Sequence, residues 1–144
     1  MAKPWTSPNY DQRSPWTSDS YLNGRKLSEA AARWIEKHPD EFNSLYRLVK
    51  KQQGMGRMAY LRDRVKVQAY DLGITVKEGE YSFANGLWAP LIRYMAYADS
   101  SLVGNPIVFE RSDVDNYGLV PVSFDVDYLT FSASVSKDGD GDGR

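Results

Sequence analysis

The chain reads as an α+β domain. Three to four helices form a small helical unit with the outline of a winged helix-turn-helix, and a small antiparallel sheet follows, between a flexible N-terminal arm and a C-terminal tail. Three observations predict it. Apolar residues recur at helical spacing between residues 27 and 98; Val, Thr, Tyr and Phe crowd the stretch after residue 106; and Pro, Gly, Ser and Asp dominate the two ends. The boundaries that follow are an arm over 1–25, one domain over 26–136 and a tail over 137–144.

The arm carries Pro4, Pro8 and Pro15 and the tetrapeptide Pro-Trp-Thr-Ser at both 4–7 and 15–18, with no apolar period. Trp5, Tyr10, Trp16 and Tyr21 give it groups that could grip a partner or a groove of its own domain. Ser28 is expected to cap a first helix with Leu27, Ala31, Trp34 and Ile35 on one side, ending before Pro39. Pro39 suits the first turn of a second helix, in which Phe42, Leu45, Tyr46 and Val49 form an i, i+3, i+4, i+7 stripe.

Gly54-Met55-Gly56 interrupts the pattern. A third helix over about 57–72 then aligns Met58, Leu61, Val65, Ala69 and Leu72 before Gly73 stops it. Residues 74–83 alternate weakly around Lys77-Glu78-Gly79 and fit a strand, a small hairpin or an ordered loop. A fourth helix opening at Asn85 or Gly86 carries Leu87, Trp88, Leu91, Tyr94, Met95 and Ala98, with Arg93 the only charge on its outer side before Asp99. So apolar a helix belongs at the centre. Strands are expected at 107–109, 119–122 and 124–135, and the Asp/Gly repeat of 138–143 reads as an unstructured acidic tail.

Composition removes many function classes. The 144 residues include no Cys and one His, which excludes disulfide frameworks, thiolate metal sites, Cys nucleophiles and multi-His centres. The longest uncharged run, 81–92, is 12 residues, too short for a membrane helix, and the start of the chain lacks the apolar stretch of a signal peptide. A cytoplasmic, soluble protein is the expectation.

Charge is unevenly placed. The net charge of −1 divides into +5 over residues 1–72 (13 Lys/Arg against 8 Asp/Glu) and −6 over 73–144 (5 against 11). Residues 43–70 hold seven cations and only Asp63 in opposition, an asymmetry that points to a polyanion.

Catalytic signals are weak by comparison. His38 lies at a helix junction with no partner identifiable by spacing. Glu110, Asp113, Asp115, Asp125 and Asp127 could converge on Mg²⁺, but acidic residues alternating with apolar ones also describe the solvent side of a strand. Asp138, Asp140, Asp142 and Gly143 imitate the opening of a calcium loop without its twelfth-position Glu. No phosphate loop, nucleophile elbow or kinase signature occurs.

The basic segment therefore leads the functional reading. With about 100° per residue, the third helix can lie on its apolar stripe and present Arg57, Arg64 and Gln68 towards bases. Arg47, Lys50, Lys51, Arg62 and Lys66 then face phosphates. That describes a small non-enzymatic, nucleic-acid-binding regulator of transcription acting on duplex DNA, with no cofactor, metal or small-molecule substrate expected. The connection over 52–56 is longer than a helix-turn-helix normally has. The alternative is a protein-interaction or inhibitor protein using the arm and the acidic, aromatic second half (Tyr81, Trp88, Tyr94, Tyr97, Tyr117, Tyr128). A metal-dependent phosphoryl-transfer enzyme built on the late aspartates is a remote third.

Overall fold

The structure, a computed structural model, describes residues 19–54 and 60–124. Within them the chain is a mixed helical domain with one small antiparallel sheet. The order is α1 (Asp19–Lys37), α2 (Pro39–Lys50), α3 (Leu61–Asp71), β1 (Lys77–Glu78), β2 (Tyr81–Ser82), α4 (Trp88–Ala98), a 3₁₀ turn (Ser100–Leu102) and α5 (Val114–Tyr117). The first helix starts by Asp19, so 19–25, expected in the arm, are helical, and Ser28 is an interior residue of α1 rather than its cap. Its hydroxyl, fully buried, donates to the Gly118 carbonyl instead. The Met58, Arg57 and 125–135 expectations lie outside the described residues.

Small side chains make α1 a scaffold. Ala30, Ala31 and Ala32 let neighbours approach closely, while Trp34 and Ile35 fill the space between α1 and α2, all of them buried. The α2 stripe Phe42, Leu45, Tyr46 and Val49 is buried as its spacing predicts. His38 stands at the α1–α2 junction with its ring 5.3 Å from that of Trp34, a packing role. In α4, seven successive residues from Pro90 to Ala96 are buried, which places this helix at the centre. Burial pushes the Tyr94 phenol above its ordinary pKa, and its hydroxyl donates to the Val120 carbonyl.

The sheet is where the sequence reading needs correction. Among the described residues the antiparallel pair is the hairpin Lys77–Glu78/Tyr81–Ser82, turned by Gly79 at φ +60, one of the forms the 74–83 stretch allowed, and it precedes α4. Glu78 ties it to α1 by accepting from Arg33 at 3.2 Å and Lys37 at 3.1 Å. Residues 107–109 contribute only an isolated bridge from Ile107 to Val103, and 119–124 form no ladder. The physical reason is that Leu119, Val120, Val122 and Phe124 dock singly on the helices, and the Gly118 and Val120 carbonyls are satisfied by side chains of α1 and α4.

Arg93 is the second correction. It is 1% exposed, not on an outer face. Its Nε donates to Asp115 Oδ1 at 2.7 Å, Nη2 donates to Asp115 Oδ2 at 3.0 Å and to the Glu110 carbonyl at 2.9 Å, and Nη1 donates to the Ala89 carbonyl at 2.8 Å. Phe109 covers the guanidinium at 5.0 Å. The same loop is held to α1 where Asp113 accepts from Ser20 and Asn23, at 2.9 and 2.7 Å. That approach requires Gly24, where a Cβ would stand 2.1 Å from the Asp113 carbonyl oxygen.

Two stability outcomes follow. Asp115→Ala strands a buried guanidinium and lowers the unfolding free energy by about 3–5 kcal/mol in urea titration. Gly24→Ala, although it raises helix propensity, costs about 1–3 kcal/mol through the clash with the Asp113 backbone. A stabilised Gly24→Ala variant would contradict the packing of α5 on α1.

Candidate nucleic-acid interface

Helix α3 rests on only three buried residues, Leu61, Val65 and Ala69, one per turn. Its remaining surface is open. Arg62, Arg64 and Lys66 are exposed, as are Tyr60 (77%), Val67 (61%), Tyr70 (82%) and Leu72 (61%). Leu72, expected in the core stripe, is carried outward because the helix ends at Asp71 and Gly73, at φ +77, turns the chain away. Tyr60 and Val67 are a helical repeat of seven apart and Tyr70 three further on, so they line the side opposite the buried stripe. A wheel that tracks where apolar residues fall outside the stripe would have found Val67 and Tyr70.

The other cations divide into two groups. Lys51, Arg64 and Lys66 are exposed and make no ion pair among the described residues. Arg62 lies 3.5 Å from Asp63, both half or more exposed, a pair too weak to withdraw it from another anion. Arg47 is exposed on α2. Lys50 is committed elsewhere: its Nζ donates to Asp99 Oδ2 at 2.8 Å. Gln68 is half-buried, with its Oε1 lacking a partner, beside the buried stripe instead of at the front of the helix. Arg57 lies outside the described residues.

Asp99, 6% exposed, is the anchor that places the end of α2. It also accepts from Tyr46 Oη at 2.7 Å and from Ser101 Oγ at 2.6 Å. Burial alone would raise its carboxyl pKa. The hydrogen bonds from Lys50, Ser101 and Tyr46 outweigh that and hold it below the ordinary aspartate range.

Of the carboxylates that could converge on a metal, Asp125 and Asp127 lie outside the described residues. Asp113 and Asp115 are used in the α1 and Arg93 contacts, and among the described residues no group of three acidic or His side chains is placed to hold an ion. Of the aromatic residues in the second half, Tyr94 is buried, Tyr81, Trp88 and Tyr117 are half-buried, Tyr97 is 48% exposed, and Tyr128 lies outside the described residues. No helix among the described residues is long and apolar enough to cross a membrane.

Comparison with protein-family models, curated proteins and solved structures finds no match.

Because the folded-state pKa of Asp99 is depressed, its contribution to stability is present above the unfolded aspartate value of about 3.9 and lost as pH falls through the folded one. Lys50→Met removes the largest opposing contact. The variant is expected to lose about 1–3 kcal/mol at neutral pH and to begin acid unfolding at higher pH than the parent, measured by circular dichroism across pH 2–7.

Proposed function

We propose that the protein is a small, non-catalytic nucleic-acid-binding regulator that uses α3 as its contact helix and the β1–β2 hairpin as a wing beside it, acting in the cytoplasm. The observation that carries this reading is the exposure of Arg62 and Lys66 on one flank of the buried α3 stripe and of Arg64 on the other, on a helix held by three residues. Lys51 at the end of α2 and Lys77 at the start of the hairpin are exposed cations on the elements before and after α3. Cations from three successive elements can thus follow a phosphate backbone, while Tyr60 and Tyr70 supply planar faces for sugars or bases.

The long α2–α3 connection departs from the helix-turn-helix norm, and Asp63 and Asp71 interrupt the positive side. These features favour backbone contact over deep base readout. A protein-partner reading rests on Val67 of α3 and Leu72 just past its end, both apolar and exposed.

Fluorescence anisotropy on mixed-sequence duplex DNA separates the two. The expected result is an affinity falling with salt along a log–log line whose slope grows more shallow by about 2 in the Arg64→Ala/Lys66→Ala double variant, one per lost phosphate contact. Binding absent even at about 20 mM salt, well below the ionic strength at which such contacts are screened, would overturn the reading and leave the apolar side of α3 as the better account.

A further inference from the structure

A cleft of about 260 Å³ opens between the first turn of α3, the start of α4 and the segment 107–112. Its floor is apolar. Leu61, Ile92 and Ile107 line it and are buried, and Trp88, half-buried with its ring 5.2 Å from that of Phe83, lines it too. The cations around it already have partners: Arg62 lies 3.5 Å from Asp63, Arg111 makes a contact of its own, and the Arg93 guanidinium is spent on Asp115 and two carbonyls. What the cleft leaves unfilled is therefore apolar surface and not a charge.

Size narrows the occupant. A dry cavity of about 150 Å³ accepts a benzene ring, so this volume suits a bicyclic side chain, and it falls below the roughly 300–1,000 Å³ of organic-ligand sites. Indole meets both parts of the site. Its body packs on Trp88 and the two isoleucines, while its N–H reaches the exposed rim, where Glu110 offers a carboxylate.

Tertiary contacts bring a tryptophan-bearing segment to that rim. Ser20 donates to Asp113 at 2.9 Å and accepts from Asn116 at 2.6 Å, and Ser112, next to Asp113, lines the cleft. The chain thus enters α1 beside the cleft. Trp16 stands three residues before Asp19, a reach of about 10 Å in extended chain. Pro15 before it has no N–H for docking to strand. From this juxtaposition we infer that the N-terminal arm docks on its own domain, with Trp16 of the Pro-Trp-Thr-Ser copy at 15–18 seated in the cleft against Trp88, Ile92 and Ile107. The docked indole also rests on Leu61, one of the three residues that hold α3, and so gives a thinly attached helix further apolar support. The docking stands apart from the reading of α3 as a nucleic-acid contact.

Fluorine NMR of the full chain labelled with fluorotryptophan tests this, because its 4 tryptophans give separate signals that Trp→Phe substitutions assign. The Trp16 signal is expected away from the solvent-exposed position and insensitive to exchange of water for heavy water, with Trp5 at the exposed position. Ala84→Phe places a ring in the cleft from an exposed lining residue. It is expected to return Trp16 to the exposed position and to move Trp88, while fully buried Trp34 stays in place as the sign of an intact fold. Trp16→Phe, made for the assignment, is a second check and is expected to move Trp88 as well. A parent Trp16 signal at the exposed position, or a protected one that Ala84→Phe does not move, overturns the docking. So does a response of Trp5 in place of Trp16, which assigns the cleft to the other copy of the tetrapeptide, or protection lost on dilution, which assigns it to the arm of a second molecule. No nucleic acid is present in these spectra, so failure of duplex binding and failure of docking are read separately.

Discussion

The buried pair of Arg93 and Asp115 organises the second half of the domain. Two charges are withdrawn from water on the central helix, and the arrangement is tolerable only because Asp115 is met by two parallel N–H donors and the guanidinium is also engaged by two carbonyls and an aromatic ring. Each of those partners is a constraint on the chain after α4. The segment from Phe109 to Asp115 must fold back over α4, and α5 must lie where Asp113 can meet Ser20 and Asn23 of α1. One ion pair thereby closes α4, the 107–112 segment and α1 into a single core.

Two further carboxylates, Asp99 and Glu78, fasten elements to one another through cations. Asp99 withdraws Lys50 from the surface and uses it to fasten α2 to the turn after α4. Glu78 fastens the hairpin to α1 through Arg33 and Lys37, which stay exposed. What these pairs leave outside is the charge of Lys51, Arg64 and Lys66, on elements already fixed in place. A positive surface on a held frame loses little conformational freedom on binding.

Helical faces were largely legible in the sequence. Phe42, Leu45, Tyr46 and Val49 follow a 3.6-residue period in one short stretch, and Leu61, Val65 and Ala69 do so again, so local spacing alone identifies what is buried. The strands expected at 107–109 and 119–122 were not, because β-rich composition marks residues that fit a half-buried surface, and here the flank of a helical core provides one. The start of α1 was missed for a related reason: its first turns are polar and bury little until Gly24 and Leu27. Of the candidate site, the exposure of Arg62, Arg64 and Lys66 was legible from the wheel, whereas the loss of Lys50 to Asp99 was not.

The absence of Cys, the single His, the polarised charge and the amphipathic period of the helices are properties of neighbouring residues, and the sequence by itself determined them. Which charges remain available was decided only by tertiary structure. Arg93 and Lys50 resemble Arg64 and Lys66 in one dimension, yet their partners are 22 and 49 residues away. A buried ion pair depends on geometry brought together by the whole fold, and no local pattern records it.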